Sequence, residues 1–493
     1  MKGAVLNSLG RLFVRGVSLL NLIALTRLLS PADYGVAALA MATIGIIQAV
    51  SDVRVNAALV MMRELDERDV FTAFTITLLR GLLIAAILLG GAELFAAFSR
   101  SPELAAPLRV LAIVPIFDGL RNPRFMLFER NIDFSRAFRR TLLSVGISAA
   151  VLIASAVILR SYWAIVIATL VQRGLESALT YWGVPGRLGL SLQSWRVFLR
   201  FGGWLTFAGT LDQLRTYIGP SAIISRFLGQ AALGLFSIAD NISYVVTHDL
   251  AQPLANAVAP GLATIADHRD RLRQAYRDAQ RTLFGVMFPM AVGMAVTSRD
   301  ALVLLAGAKW EGAAPLVTIL APALGLSVLN AGASALAMAL GHARLLFTRN
   351  LLAAVVSLPL VWFVTQRGSL AGSALAMSAG VLFETAIALR IATTLIGLPW
   401  LQPILDSWRT FLACALMVAV ELAIGPSRQT AALPLAIELA PKVLLGALTY
   451  VVAILALWRL AGRPDGFEPK LLDNLASRVP IVLKPAWRWV RGR

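Results

Sequence analysis

The sequence predicts an all-α, polytopic membrane protein, and three observations support this fold class. Hydrophobic residues make up 58% of the 493 residues and charged residues only 15%, against about 45–50% and about 25% in soluble domains. Apolar runs of roughly 18 or more residues recur from end to end, and each is long enough to cross a hydrocarbon core of about 30 Å as a helix. These runs are apolar on every side rather than alternating, which excludes membrane-spanning strands.

About 14 transmembrane helices are predicted, and an even number places both termini on one side of the membrane. The predicted spans are residues 4–28, 33–61, 70–98, 105–128, 138–159, 162–183, 197–224, 231–262, 282–306, 313–341, 346–366, 369–389, 409–425 and 434–458. The first span lacks a small-residue cleavage site, so we interpret it as a retained helix and not as a signal peptide. The single cysteine, Cys414, excludes an intrachain disulfide.

Basic residues predict the orientation. The loops on the side of the termini carry 18 arginines, whereas the opposite loops carry six basic residues, so the richer side is expected to face the cytoplasm. We attribute the formal net charge of +18 to this topology and to attraction to anionic lipid. Nucleic acid is not an expected partner, because the short loops leave no basic folded domain. The segment from Asp267 to Thr282 is predicted to be a solvated helix.

Two motifs occur twice along the chain. TRLLSPADYG, which begins at Thr26, is followed 199 residues later by SRFLGQAALG, and AAPL at Ala105 is followed 208 residues later by AAPL at Ala313. Each motif keeps its place within its half, so spans 1–6 are expected to resemble spans 7–12 as a parallel repeat. Chance similarity among apolar sequences is the alternative. The expected domains are an N-lobe (1–185), a C-lobe (186–395), helices 13 and 14 (396–460) and a basic cytoplasmic tail (461–493).

These motifs also carry a family resemblance. RLLSPADYG, RFLGQAALGLF and GAKWEGAAPL resemble the polysaccharide transporter branch of the multidrug/oligosaccharidyl-lipid/polysaccharide exporter (MOP) superfamily. Its members are Wzx-type flippases for lipopolysaccharide O-antigen and exopolysaccharide repeat units. The resemblance implies two six-helix lobes around a central cavity, with two further helices. It also implies that an undecaprenyl-pyrophosphate-linked oligosaccharide moves from the inner to the outer leaflet of the bacterial inner membrane by alternating access, with membrane lipids, a polysaccharide polymerase and glycosyltransferases as partners.

The first span carries a polar face suited to an anionic cargo. Asn7, Arg11, Arg15, Ser18 and Asn21 fall within about 120° of one another on a helix. Arg11 and Arg15 lie one turn apart, and two guanidinium groups at this spacing can bind a pyrophosphate bidentately. The alternative is that both side chains extend to the cytoplasmic headgroups.

Five more arginines inside predicted spans are candidates for the anionic path, because charges within the membrane are costly and tend to face a cavity or a partner. These candidates are Arg54, Arg121, Arg124, Arg173 and Arg215. Four of them lie within three residues of an acid, and mutual neutralisation is the alternative for each pair. The pairs are Asp52 with Arg54, Asp118 with Arg121, Arg173 with Glu176, and Asp212 with Arg215.

The eighth span presents a second polar face, which suits sugar hydroxyls because it offers donors and acceptors together. The predicted sugar-binding residues are Ser237, Asp240, Asn241, Tyr244 and His248, together with Asn7 and Asp212. Interhelical hydrogen bonding is the alternative. The candidates for coupling transport to protons or sodium are Asp52, Asp240 and Glu384, and the sequence does not choose among them. Glu384 and Glu421 look like isolated acids. His248 has no second ligand at a useful spacing, so no metal site is predicted.

Four residues next to the repeated motifs are expected at the outer membrane interface: Arg27, Arg226, Lys309 and Trp310. Anchoring to lipid headgroups is the favoured interpretation, because basic and aromatic side chains collect at that depth. Contact with the exported glycan is the alternative.

An enzyme is not expected, and no cofactor is predicted. The sequence has no Walker-type loop and no evident Ser-His-Asp order or metal cluster. The main competing function is a multidrug/cation antiporter of the same superfamily, which would favour an acid-lined cavity. The first six spans instead contain more arginine than aspartate and glutamate. A non-transporting scaffold for a polysaccharide assembly complex would not explain so many charges inside the membrane.

Overall fold

A computed structural model gives the three-dimensional structure, which is helical throughout the part of the chain that it describes. The described residues are 2–51, 59, 66–125, 134–184, 186, 188–196, 198, 211, 213–245, 247, 258, 261–424 and 435–462. These residues form α-, 3₁₀- and π-helices joined by turns. The all-α prediction is confirmed over this part of the chain.

The first compact unit comprises residues 1–238, 305–313 and 350–377. Its complete helices are α1 (Lys2–Leu28), α2 (Pro31–Ser51), α3 (Glu67–Phe98), α4 (Ala105–Leu111), α5 (Ile113–Gly119), α6 (Phe134–Leu159), α7 (Trp163–Ala178) and α8 (Gly219–Leu228). It also contains the 3₁₀ turns Pro102–Leu104, Pro123–Phe125 and Ala308–Ala313, and the π-helical turn Leu214–Ile218.

The second compact unit comprises residues 239–304, 314–349 and 378–493. The remaining helices are α9 (Gln230–Tyr244), α10 (Arg269–Val296), α11 (Ser298–Leu305), α12 (Ala314–Ala339), α13 (Ala343–Thr365), α14 (Leu370–Ile396), α15 (Gln402–Leu405), α16 (Trp408–Ile424) and α17 (Leu435–Leu460). Helices α9, α11, α13 and α14 contribute residues to both units. The lobe and tail boundaries expected from the repeat follow different criteria and stay a prediction.

Seven stretches of described helix are long and apolar enough to cross a membrane. They are Glu67–Phe98, Phe138–Leu159, Arg269–Val296, Ala308–Ala339, Arg344–Thr365, Leu370–Ile396 and Leu439–Leu460. Each overlaps a predicted span, although Arg269–Val296 begins 13 residues before the span predicted at 282–306, and further predicted spans overlap α1, α2, α7, α9 and α16. The multi-pass architecture that the sequence predicts is therefore confirmed.

The predicted span at 105–128 is not one continuous helix. The structure divides it into α4 and α5 at Ala112, and α5 ends at Gly119. Pro115 has no N–H group, so the carbonyl group of Leu111, four residues earlier, loses its helical donor. The break places Asp118 near the end of a short helix rather than in the middle of a long one.

The backbone confirms the internal repeat at two turns. Arg160 and Gly368, 208 residues apart, precede α7 and α14 and have φ of 48° and 81°. Arg100 and Gly307, which precede the two AAPL segments, have φ of 52° and 97°. The left-handed conformation therefore recurs at matching positions of the two halves, which chance similarity of apolar residues does not explain.

Each unit has its own apolar core. In the first unit, Leu25 and Leu29 at the end of α1 pack with Leu152 of α6 and Ala164 of α7. In the second unit, Phe284 stacks on Phe288 with ring centroids 4.7 Å apart, and both rings contact Phe411 of α16. The hydroxyl group of Tyr450 donates to the carbonyl oxygen of Gly285 at 2.5 Å. These contacts fix α16 and α17 against α10.

The expectation of a solvated helix at Asp267 to Thr282 is wrong in one respect. This segment forms the first half of α10, and Tyr276 and Gln280 are buried. Asp406, just after α15, accepts two hydrogen bonds from Arg277 at 2.7 Å and one from Arg281 at 2.9 Å. Burial alone would raise the pKa of the Asp406 carboxyl group, but its hydrogen bonds outweigh burial and hold that pKa below its ordinary value. One face of the segment therefore binds the protein.

Candidate functional site

A basic cleft of about 190 Å³ opens within the first unit, among α2, α3, α5, α6 and α7. Four arginines and one aspartate line it, a formal excess of three positive charges: Arg80, Arg121, Arg140, Arg173 and Asp118. The remaining lining residues are Gln48, Thr77, Gly81, Ile84, Pro115, Gly119, Asn122, Pro123, Phe125 and Thr180. We call this site the basic cleft.

Two glycines bring α3 and α5 close enough to form the cleft. A Cβ atom at Gly81 would lie 3.0 Å from the carbonyl carbon of Pro115, and one at Gly119 would lie 2.7 Å from the carbonyl oxygen of Thr77. Real Cβ atoms do not approach backbone atoms so closely, so only glycine permits this crossing. Arg80 and Asp118 are the chain neighbours of these glycines, and the crossing therefore places both charges in one cleft.

The two acid–arginine pairs predicted from their spacing form one network. Arg121 donates a hydrogen bond to Glu176 at 2.5 Å, and its Nη2 also lies 2.9 Å from Asp118 Oδ1. Arg173 lies 3.4 Å from Glu176 and 3.9 Å from Asp118. Pairing and cavity lining were alternatives in the sequence. The structure shows both for Arg121 and Arg173, since each arginine is paired and also lines the basic cleft.

Polar contacts extend the network to α2 and α3. Gln48 donates to Asp118 Oδ2 at 3.2 Å, and Arg80 donates to the backbone carbonyl oxygen of Gln48 at 2.8 Å. The guanidinium group of Arg140 lies 4.4 Å above the ring of Phe125. The basic cleft is therefore tied together across four helices.

Sequence reasoning missed Arg80 and Arg140 as site residues. Arg80 was detectable, because it is a single charge within the apolar run TITLLRGLLIAA and such charges are a functional signal. Arg140 stands at the start of a predicted span among other loop arginines. Its position over Phe125 results from the fold and has no local signal.

The basic cleft is suited to bind a phosphate-bearing group. Guanidinium groups present planar pairs of N–H donors that match phosphate oxygens, and these charge-assisted bonds are about twice as strong as neutral ones. Within the described residues, no group of three His, Cys, Asp or Glu side chains could hold a metal ion.

The predicted site on the first span is only partly described. Arg15 is an exposed residue of α1 and is not among the residues that line the basic cleft. The side chains of Asn7 and Arg11 lie outside what the structure describes, as do Asp52, Arg54, Asp212 and His248 altogether. Their predicted roles stay predictions.

Two of the predicted path arginines lie apart from the basic cleft. Arg124 donates to Glu67 at 2.8 Å, and its guanidinium group lies 6.0 Å from the ring of Phe71. Arg215 is 8% exposed and lies in the π-helical turn. Neither lines the cleft. Arg124 follows α5, which ends at Gly119, and its side chain contacts Glu67 at the start of α3.

The polar face predicted on the eighth span is present on α9. Ser237, Asp240 and Tyr244 are half-buried and Asn241 is exposed, whereas the helix positions between them are buried. The buried positions are Ile238, Ala239, Ile242 and Ser243. The face is thus open on one side of α9, and its role in sugar binding stays a prediction.

Glu384 is not an isolated acid. It lies 3.4 Å from Arg349, and both side chains are buried; Arg349 also donates to Ser334 at 2.9 Å. Glu384 follows Glu176 by 208 residues, the spacing of the two AAPL segments. The two lobes therefore carry equivalent glutamates that each bind an arginine, which the sequence alone did not reveal because Arg349 lies on a different helix.

The repeated corners of the chain contact each other. A Cβ atom at Gly35 would overlap the carbonyl oxygen of Gln230 and lie 2.7 Å from its carbonyl carbon. A Cβ atom at Gly234 would overlap the carbonyl oxygen of Pro31 and lie 2.8 Å from its carbonyl carbon. Gly35 and Gly234 are 199 residues apart, as are Pro31 and Gln230. The two contacts are therefore equivalents, related by a local two-fold axis.

The ends of α1 and α8 each also contact the opposite half of the repeat. Trp310 Nε1 donates to the carbonyl oxygen of Thr26 at 2.8 Å, and Lys309 donates to that of Arg27 at 3.0 Å. In the equivalent place, Arg226 donates to the carbonyl oxygen of Phe98 and lies above its ring. We call this assembly the corner contact. It comprises Thr26–Gly35, Ser225–Gly234, Phe98, Lys309 and Trp310.

The interpretation as headgroup anchors is wrong for Trp310 and incomplete for Lys309 and Arg226. Trp310 is fully buried and packs edge-on against Tyr34, with ring centroids 5.7 Å apart. Lys309 and Arg226 use their donors on backbone carbonyls of the protein. The last carbonyls of a helix need external donors, and these side chains supply them.

Comparisons with known proteins agree with this architecture. A family model described as "Polysaccharide biosynthesis protein" matches residues 24–315, more than half of the chain. The chain is 21% identical over 436 residues to the lipopolysaccharide biosynthesis protein WzxC of Escherichia coli (strain K12), covering 86% of this chain and 87% of WzxC. It is 24% identical over 484 residues to the succinoglycan biosynthesis transport protein ExoT of Rhizobium meliloti (strain 1021), covering 94% and 93%.

A solved structure supports the fold. The lipid II flippase MurJ, in an inward closed conformation, superimposes with a TM-score of 0.76 at 16% identity, covering 93% of this chain and 100% of MurJ. The family match and these similarities agree with the fold and with the family resemblance of the motifs. The chain belongs to the polysaccharide biosynthesis protein family, in the Wzx-type polysaccharide transporter branch of the MOP superfamily.

Proposed function

We propose that this protein flips undecaprenyl-pyrophosphate-linked oligosaccharide repeat units, of O-antigen or exopolysaccharide, from the inner to the outer leaflet of the bacterial inner membrane. The single observation that carries this proposal is the basic cleft, in which four arginines and one aspartate converge inside a chain built of membrane helices. A charge within a membrane is costly unless it faces a cavity or a partner. A pyrophosphate group would give these arginines a partner of opposite charge.

The names of the relatives agree with this cargo. WzxC is named for lipopolysaccharide biosynthesis, ExoT for succinoglycan transport and MurJ for flipping lipid II. We carry over from them the substrate class, a lipid-linked saccharide, and the transport step. We also propose that the chain performs no chemical reaction and needs no cofactor.

The corner contact supports alternating access as the mechanism. It joins the two halves of the repeat through backbone atoms at both of its symmetric contacts. We propose that the contact closes the outer side while the basic cleft receives the pyrophosphate from the inner leaflet, and that separation of the corners releases the cargo. The polar face of α9, with Asp240, is the proposed sugar-binding surface. Asp52, Asp240 or Glu384 couples the cycle to a proton or sodium gradient.

The orientation follows from the basic loops, so we place both termini in the cytoplasm. Membrane lipids surround the protein, and the glycosyltransferases and polymerase that make and extend the repeat unit are the proposed partners, because they supply its substrate and consume its product.

A multidrug/cation antiporter of the same superfamily is the competing function. A cationic drug would be repelled by the cleft, because its four arginines outnumber Asp118 and the adjacent Glu176. If the protein were an antiporter, deletion of its gene would lower drug resistance.

The test is deletion of the gene followed by complementation. We expect the deletion strain to accumulate lipid-linked repeat units in the inner leaflet and to lose surface glycan, and we expect the wild-type gene to restore both. Drug sensitivity should not change. A deletion strain with normal surface glycan and increased drug sensitivity would establish the antiporter instead.

A further inference from the structure

We infer that Asp118 occupies the place in the basic cleft that the cargo's diphosphate takes on binding, whereas Glu176 holds the arginines in position whether or not cargo is bound. This inference rests on the proposed function and goes further, because it assigns opposite roles to two carboxylates of one network. Asp118 is a stand-in that the cargo displaces. Glu176 is a positioning residue.

The position of Asp118 supports the first role. It lines the basic cleft, and its Oδ1 lies 2.9 Å from Arg121 and 3.9 Å from Arg173, the two arginines that Glu176 also contacts. An oxygen shared between two cleft guanidinium groups marks the place where a ligand oxygen would be bound.

Asp118 is half-buried, and its carboxylate is incompletely hydrogen-bonded. Among the described residues, its Oδ1 is buried and accepts no hydrogen bond, despite the proximity of Arg121. Its Oδ2 accepts from Gln48 at 3.2 Å. Buried acceptors that make no hydrogen bond carry a desolvation cost, so a better-matched anion can replace this carboxylate.

Glu176 has the opposite surroundings. It is not among the residues that line the cleft, and it accepts hydrogen bonds from three side chains: Arg121 at 2.5 Å, Gln172 at 3.0 Å and Arg173 at 3.4 Å. Glu176 therefore binds both guanidinium groups without lining the cleft itself. The other charged groups around the cleft are Arg80 on α3 and Arg140 on α6, which add attraction for an anion.

The donor capacity of the arginines is not fully used. Arg121 Nε is buried and donates no hydrogen bond within the described residues. A diphosphate offers more acceptor oxygens and more charge than one aspartate, so it can use donors that Asp118 leaves idle. The exchange of Asp118 for diphosphate should therefore be favourable, provided that Glu176 keeps the guanidinium groups in place.

The experiment compares Asp118→Asn with Glu176→Gln, using inorganic pyrophosphate as the probe and the purified full-length protein. Each variant removes one negative charge from the same network, so charge alone predicts tighter binding in both. The inference predicts opposite signs. We expect Asp118→Asn to bind pyrophosphate about tenfold more tightly, and Glu176→Gln about tenfold more weakly. Glu176→Asp, which keeps the charge, should regain part of the lost affinity.

Each possible result either supports or overturns the inference. Tighter binding in both variants, or weaker binding in Asp118→Asn, would overturn it and leave the proposed function intact. A wild-type protein that does not bind pyrophosphate would overturn both. Unfolding temperatures of the variants in detergent show whether they are folded, and Asp118→Ser provides the same comparison if Asp118→Asn fails to fold.

Discussion

The corner contact and the basic cleft are formed by different kinds of chemical group. The corner contact uses backbone carbonyls and glycines, and it occurs in two equivalent copies, Gly35 on Gln230 and Gly234 on Pro31. The basic cleft uses charged side chains of the first half alone. At the 208-residue spacing, Asp118 and Arg121 correspond to Leu326 and Leu329. The repeat therefore preserves the contact between the halves, while the charges proposed to bind cargo belong to one of them.

This difference has a physical basis. A contact between helix backbones requires only small residues at matching points, and a two-fold repeat supplies such points in pairs. Charges inside a membrane are costly at every position, so duplicating the whole arginine set would add cost without adding a second cargo. Of the network at the cleft, Glu176 has a charged counterpart at this spacing, Glu384, with its own arginine.

The largest expected effect comes from breaking the corner contact. Gly35→Ala and Gly234→Ala should each reduce glycan export to below about a tenth of the wild-type level, because the added Cβ overlaps a carbonyl oxygen in a packed interior that cannot give way. The two variants should be equally impaired, since their contacts are equivalent. Surface glycan in a complemented deletion strain is the measurement.

Gly90→Ala is the matched control for this pair. A Cβ atom at Gly90, on α3, would meet nothing within 4 Å, so this variant should export normally. Normal export by Gly35→Ala would show that the corner contact is dispensable.

The next effect concerns the basic cleft. Arg121→Ala and Arg173→Ala should each lower the export rate by about 10- to 100-fold, since a charge-assisted bond to phosphate contributes roughly 1.5–3 kcal/mol. Lysine at either position should restore little, because it cannot form the bidentate contact. Initial rates of glycan appearance at the cell surface measure this effect.

The control for the cleft variants is Arg109→Ala. Arg109 pairs with Glu93, and both side chains are more than half exposed, outside the cleft. Equal losses in Arg109→Ala and Arg121→Ala would mean that any arginine substitution impairs export, and the assignment of the cleft would not stand.

A smaller effect is expected at the edge of the corner contact. Trp310→Ala removes a fully buried ring and should destabilise the protein by about 3–5 kcal/mol. Trp310→Phe keeps most of the ring but loses the hydrogen bond to Thr26, which should cost about 1 kcal/mol. Unfolding temperatures in detergent separate the two contributions. Equal stability of all three proteins would contradict the structural role of Trp310.

The smallest effect on transport is expected at Asp406, which lies in neither region. Its lowered pKa means that its contribution to stability is complete above the ordinary value of 3.8 and is lost as the pH falls below it. At pH 7, Asp406→Asn should therefore destabilise the protein by about 1–3 kcal/mol while export continues. Once the pH lies below the lowered pKa of Asp406 in the folded protein, the stability difference from wild type should vanish. A difference that persists there would rule out the charge as its cause.

The sequence was sufficient for the fold class, the repeat and most spans, because membrane helices are recognised by length and apolarity, but it did not reveal the division of the span at 105–128. It also singled out Arg121 and Arg173 as candidates and paired them with Asp118 and Glu176, since charges inside apolar runs are rare. It could not show that the two pairs form one network, because Glu176 contacts Arg121 from a different helix. It misjudged Trp310 because a buried tryptophan and one at the membrane interface have the same sequence signal.

The most direct test of the account measures flipping in proteoliposomes that contain a labelled undecaprenyl-pyrophosphate-linked oligosaccharide. The wild-type protein should move the label between leaflets. The double variant Arg121→Ala/Arg173→Ala, folded as judged by its unfolding temperature, should leave the label in its original leaflet. Flipping by the double variant at the wild-type rate would contradict the claim that the basic cleft binds the cargo.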